Sequence, residues 1–352
     1  MAQLKATFIY SVLTSFVEND LKILKNLNID VNEIKSAPYK RPFNFIINRL
    51  KEFVYSFFYI PKSQVVICWF SDYHGFFPLL ISKVFKKKFI VIVGGFDAVS
   101  YKKLNYGVFL KKNLRMKIAS LIYSYASEIW VVHKSLSNGC INSKKSLNID
   151  SGIKTFLPNL KTSIYEVPTG YDFSFWRSKN KIRDKKTILT VANIDNDQTF
   201  KRKGLSEFVS LANKLKDFKF TIAGLSKKMI LKIDKPENMD LLGKVSTNQL
   251  VKLYSKNYFY FQGSIIEGLP NVLCEAMLCE CIPIGNDVFG IGDVIGKTGL
   301  IYQGEKEIDK VKEFLVGEVT FDGKKARERI KSEYPLFKRI DRFNHLFNES
   351  KI

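Results

Sequence analysis

Residues 260–283, YFQGSIIEGLPNVLCEAMLCECIP, decide how the chain is read. An apolar run over Tyr258–Phe261 breaks at Gly263-Ser264, a short loop carries Glu267 and Gly268, and Pro270 opens an amphipathic segment through Met277. That is strand, loop, helix. Proline suits a first helical turn, where its missing N–H removes no bond. The backbone from Gly268 through Leu269 and Pro270 to Asn271 sits at the positive end of the helix dipole, a ready anion site. Glu267 in the loop and Glu275 in the helix flank it, and hydroxyls beside a phosphate would suit both carboxylates.

At 352 residues the chain is long for one domain and comfortable for two. An apolar content of 46% supports real cores, with no low-complexity segment or solenoid repeat. No stretch reaches the roughly 18 uninterrupted apolar residues of a bilayer span. The start, MAQLKATFIYSV, lacks a charged region followed by an apolar signal core, so a cytoplasmic location is expected. Cysteines 68, 140, 274, 279 and 281 show no metal-ligand spacing and read as buried thiols. Net charge is +22, and residues 1–166 hold 24 Lys and Arg against 10 Asp and Glu. A field of that sign serves nucleic acid, an anionic membrane or a charged substrate.

Outward from the central stretch, ATFIYSVL (6–13) reads as a buried strand, followed by a helix with Phe16, Leu21, Leu24 and Leu27 on its apolar face. Residues 38–62 begin with Lys40 and Arg41 and interleave aromatic and aliphatic residues with Arg49 and Lys51. They read as a basic amphipathic helix, either at an anionic membrane surface or in a core with snorkelling cations. Residues 102–125 repeat that pattern. VVICWF (65–70) and FIVIVGGFDA (89–98), with a helix between them, form a βαβ crossover. Strands apolar on both faces argue a covered parallel sheet, with ligands at its carboxyl edge. Two loops there carry His74 and Asp97. In the second half, a strand to Ala192 leads to Lys201-Arg202-Lys203 and a helix after Gly204. A later strand ends in the turn Gly243-Lys244-Val245, before a helix capped by Thr247.

Glu267 and Glu275 reproduce the Glu-x7-Glu motif of GT-B glycosyltransferases, and EGLPNVLCEAM is similar to glycosyltransferase family 4. The resemblance rests on specific motifs over 165–352 and on pattern over 1–165. It implies an α/β GT-B fold, two Rossmann-like parallel-sheet domains facing each other across a cleft. The acceptor-binding domain would span 1–167 and the nucleotide-sugar-binding domain 168–330, with a C-terminal helix (331–352) crossing back to the first. By resemblance, Glu267 contacts the donor sugar, Glu275 grips the nucleotide ribose, and Gly268, Leu269, Pro270 and Asn271 hold the diphosphate. Lys203 neutralises that diphosphate, and Gly243, Lys244 and Val245 lie against the base. Asn193 stands where the family has an arginine, which leaves Arg202 or Lys201 to supply the second positive charge. Gly94-Gly95-Phe96-Asp97 looks like the family's His-Gly-x-Asp segment with Gly94 in the histidine's place, so Asp97 and His74 become the candidates there.

The resemblance thus implies transfer of a sugar from a nucleotide-diphosphate donor to a glycan or lipid-linked acceptor with retention, in cell-surface polysaccharide or glycolipid synthesis. Lys203, Glu267, His74 and Asp97 are the expected catalytic residues. The acceptor hydroxyl would attack on the leaving-group face and pass its proton to a phosphate oxygen. No cofactor and no metal are expected, because cations and amides can take the metal's place. An anionic membrane surface is the expected partner, making the protein peripheral; the oligomeric state stays open. An epimerase or phosphorylase of the same fold is the alternative. A basic nucleic-acid-binding protein is disfavoured, because the charge is dispersed over amphipathic helices without a reading motif.

Overall fold

The computed structural model describes residues 3–38, 42–180 and 182–349. Lys40 and Arg41 lie outside them. The chain divides into two compact units, one made of Met1–Gly139, Ile149–Thr169 and Phe337–Ile352, the other of Cys140–Asn148 and Gly170–Leu336. The short segment Cys140–Asn148 thus belongs to the second unit, although it precedes the boundary near Pro168 read from the sequence.

In the first unit, strands β1 (Lys5–Tyr10), β2 (Asp30–Lys35), β3 (Val65–Trp69), β4 (Lys88–Val93), β5 (Glu128–Val131) and β6 (Ile164–Glu166) form one sheet in the order β2-β1-β3-β4-β5-β6. Every pairing in it is parallel. β3 is buried along its whole length and β4 in all but its first residue, which is why both read as unbroken apolar runs. Helices α1 (Ser15–Asn26), α2 (Pro42–Tyr59), α3 (Phe76–Val84) and α4 (Leu114–Tyr125) accompany the sheet. The stretch 102–125 is therefore not a second continuous amphipathic helix, because one-turn helices at Lys102–Leu104 and Val108–Leu110 precede α4. Among the described residues no helix is long and apolar enough to cross a membrane.

The final helix, Leu336–Glu349, is locked into this unit by a buried ion pair. Arg339 donates to Asp20 through Nε (2.5 Å) and Nη2 (2.7 Å), and to the carbonyl of Val167 through Nη1 (2.8 Å). Trp69 Nε1 donates to the same carboxylate at 2.8 Å. Two fully buried opposite charges, saturated in this way, meet the condition under which burial of an ion pair is tolerated.

The second unit repeats the architecture with β7 (Asp184–Ile194), β8 (Lys219–Leu225), β9 (Met239–Leu242), β10 (Asn257–Gln262), β11 (Ile282–Asn286) and β12 (Leu300–Tyr302). Their order, β9-β8-β7-β10-β11-β12, is all parallel. Strand order reverses between β7 and β10, and doubly wound sheets bind ligands at the carboxyl ends of the strands flanking such a reversal. Helices α5 (Leu205–Lys214), α6 (Thr247–Lys256) and α7 (Asn271–Leu278) follow β7, β9 and β10. The cap of α6 is Ser246 and not Thr247: Ser246 Oγ accepts from the Gln249 amide while Gln249 Oε1 accepts from the Ser246 amide at 2.7 Å. Ser246 and Gln249 have the spacing of a capping box, a signal already present in the sequence.

Candidate active site

The two loops at the second unit's reversal point are tied together. Gly204, at φ +68°, packs so closely that a Cβ there would lie 2.0 Å from the Gly263 carbonyl oxygen. Only glycine fits both the left-handed backbone and the approach. The Ile265 amide donates to the Arg202 carbonyl at 2.9 Å. Fastened this way, the loop after β7 brings Lys203 onto Glu267 in the loop after β10, where they form a hydrogen-bonded ion pair. Burial lowers the Lys203 pKa, and Glu267 opposes that shift. A largely buried ammonium facing one carboxylate can exchange that carboxylate for a phosphate oxygen.

Pro270 occupies the N-cap position of α7, so the backbone of 268–271 lies at the helix N-terminus as expected. Asn271 begins the helix, and its Oδ1 accepts from Tyr171 Oη at 2.5 Å. Glu275 follows one turn later and is buried, with Oε2 accepting from Tyr254 Oη at 3.1 Å. Burial pushes its pKa up to about 8, against the pull of that hydrogen bond. The folded chain therefore holds a proton here that the unfolded chain has released, at any pH between about 4.5 and 8. The stability contributed by this group is full below pH 4.5 and lost as pH rises through 8. Glu275→Gln mimics the protonated acid, so its melting temperature should gain on wild type as pH goes from 5 to 9; a constant difference would refute the assignment.

Gly243, Lys244 and Val245 follow β9 on the same carboxyl edge, and the Gly224 amide donates to the Gly243 carbonyl at 3.1 Å. Asn193 is exposed near the end of β7. A short helix over Asp197–Arg202, capped by the Asn196 side chain, carries Arg202 beside Lys203. Two supporting residues were not singled out in the sequence. Tyr254 reads there as one more apolar position of α6. Asn286, buried, donates to the Ser264 carbonyl (3.2 Å) and accepts from the Gly304 amide (3.0 Å), linking loops at the ends of β10, β11 and β12.

In the first unit, Asp97 and His74 are both buried and hydrogen-bonded to the backbone. Asp97 is fully buried; Oδ2 accepts from the Ser71 amide (3.0 Å), while Oδ1 accepts from the amides of Gly95 (3.1 Å) and Gly94 (3.3 Å). Burial raises its pKa to about 6 although these amides stabilise the anion. The carboxylate thus ties the loops after β3 and β4 together. His74 is buried with Nε2 at 2.7 Å from the Trp69 carbonyl, and burial lowers its pKa. With that nitrogen committed to the backbone, the imidazole holds its own loop. A histidine at Gly94 could not be accommodated without rearrangement, since a Cβ there would lie 2.6 Å from the Phe70 ring, itself set by a left-handed φ of +69°. Asp72 takes a two-pronged hydrogen bond from Arg115, whose guanidinium stacks 4.7 Å from the Phe96 ring centre.

Two six-stranded parallel-sheet units of this kind define the GT-B glycosyltransferase fold, and solved structures share it. The sucrose-phosphate synthase of Thermosynechococcus elongatus superposes with a TM-score of 0.74 at 13% identity, over 98% of each chain. HepE of Anabaena, solved in complex with UDP, gives 0.66 at 10% identity over 98% of this chain and 100% of that one. The catalytic domain of Arabidopsis thaliana starch synthase IV, bound to ADP and acarbose, gives 0.67 at 9% over 99% of both. No curated protein sequence matches the chain. Residues 172–332, which contain Lys203, Glu267 and Glu275, match the family model described as "Glycosyl transferases group 1".

Proposed function

We propose that the protein transfers a sugar, with retention and without a metal, from a nucleoside-diphosphate donor to a glycan or lipid-linked acceptor of cell-surface polysaccharide or glycolipid. The observation that carries this reading is the meeting of Lys203 and Glu267 at the strand-order reversal, beside a helix N-terminus and one helix from a buried carboxylate. Each part matches a part of the donor. Lys203, helped by Arg202, and the 268–271 backbone face the diphosphate; Glu275 takes the ribose hydroxyls; Gly243–Val245 borders the base. As the diphosphate draws Lys203 away, Glu267 becomes available to the sugar hydroxyls. The bond from the anomeric carbon to the phosphate oxygen breaks, the acceptor oxygen bonds to that carbon, and its proton leaves on the diphosphate. Lys203 and the helix amides stabilise the charge that grows there.

The direct test is a thermal-shift screen with UDP, GDP, ADP and CMP and their sugars. One nucleotide at a hundredfold excess over its Kd should add about 2.7 kcal/mol of stability, and Glu275→Ala, which removes the group meeting the ribose, should abolish most of that. Equal shifts in both proteins, or none with any nucleotide, would refute the donor site. Transfer should also survive excess chelator. Loss of activity that a divalent ion restores would replace the metal-free mechanism by one in which an ion neutralises the diphosphate.

A further inference from the structure

Helix α2 is turned inside out. The side it presents to its own unit is polar: Arg49 pairs with Glu52 and donates to Ser36 Oγ at 2.9 Å, while Glu52 and Ser56 are the buried residues of the helix. The other side carries Phe43, Ile46, Leu50, Phe53 and Phe57 at alternating steps of three and four, an apolar stripe of the kind that normally faces a core. Here it faces outward, with Phe43 70%, Ile46 61% and Leu50 65% exposed. The stripe continues onto α3, where Phe53 meets Phe77 and Phe57 meets Phe85, beside exposed Leu80 and Val84. Scattered exposed apolar residues need no explanation, but a contiguous ridge across two helices marks an interaction surface.

Charge identifies the occupant. Between residues 42 and 88 the acids are Glu52, buried against Arg49, and Asp72, paired with Arg115. Lys51, Lys62, Lys83 and Lys86 are exposed around the ridge. A second copy of the chain would bring two such basic rims together, whereas an anionic bilayer complements both the ridge and its rim. Aromatic and aliphatic side chains then enter the headgroup boundary while lysines meet lipid phosphates.

We infer that α2 and α3 form a ridge that docks the first unit on an anionic phospholipid surface. This docking does not depend on the transfer chemistry, so it is tested without donor or acceptor. The full-length protein is floated with vesicles of phosphatidylcholine containing phosphatidylglycerol, and with vesicles of phosphatidylcholine alone. Binding to the anionic vesicles should exceed binding to the neutral ones at least tenfold and fade as salt rises. Phe43→Glu/Leu50→Glu should lose it at least tenfold while keeping its melting temperature, because both side chains are exposed; Lys83→Glu/Lys86→Glu should lose much of the anionic preference. Equal binding to both vesicle types overturns the inference, as does binding to neither. A dimer in sedimentation that Phe43→Glu/Leu50→Glu dissolves would assign the ridge to a second copy instead.

Discussion

Lys203→Met lowers release of nucleoside diphosphate from the sugar donor by about 10²- to 10³-fold, the scale expected when one preorganised group facing the developing charge is removed. The methionine keeps an unbranched apolar stem of similar length, so the change removes the charge and little volume. The loss should fall on kcat more than on KM, since the charge on the leaving diphosphate is greatest as the bond breaks. Lys203→Arg should recover part of the rate, because charge persists while the single Nζ geometry does not. A Lys203→Met enzyme retaining a tenth of wild-type turnover would mean that the ion pair with Glu267 is structural. Glu267→Gln separates the two ideas further. If the pair merely holds the loops, both variants lose stability alike; if Lys203 awaits a phosphate, Glu267→Gln binds nucleotide at least as tightly as wild type and loses activity only toward the sugar.

The largest effect on stability is expected at the other buried pair. Arg339→Ala leaves Asp20 ionised, fully buried and with only Trp69 as donor among the contacts described above, a situation that costs about 3–5 kcal/mol. Asp20→Leu/Arg339→Met should recover part of that loss, because two buried charges disappear together while the Val167 carbonyl and Trp69 Nε1 lose their partners. Urea denaturation followed by tryptophan fluorescence reports it, as Trp69 and Trp130 are both buried in the first unit. A loss below about 1 kcal/mol for Arg339→Ala would show that the guanidinium is replaceable by water, a result expected of surface pairs.

The strands were legible because burial on both faces leaves an unmistakable apolar run, as in VVICWF, and the strand–loop–helix over 257–278 because glycine and proline stand at fixed spacing around a helix start. What stayed hidden depends on partners distant in sequence. Asp20 and Arg339, read locally, are two charges on helices; nothing nearby announces that they meet. Glu275 read as a ribose ligand, but its proton and its contact with Tyr254 follow from packing between α6 and α7. The amphipathic pattern of α2 was visible, yet a periodic stripe reports only that a helix has two faces. The face that turns inward carries Arg49, which pairs with Glu52 and donates to Ser36. Asp97 was picked out for its place at a strand end, and the structure gives it backbone amides to hold. Why a glycine stands at 94 became intelligible only when the Phe70 ring was seen to fill the space a side chain would need.

The Asp20–Arg339 bond also bears on how the chain is made. These residues are 319 positions apart, so at 5–20 residues per second a ribosome delivers the arginine roughly 15 to 60 s after the aspartate. During that interval Trp69 and the neighbouring strands can assemble around a carboxylate whose counter-charge has not been synthesised. The second unit, whose residues all precede position 337, emerges first in complete form. The first unit begins before the second and is completed after it, so its core stays without the Arg339 counter-charge while the whole second unit is made.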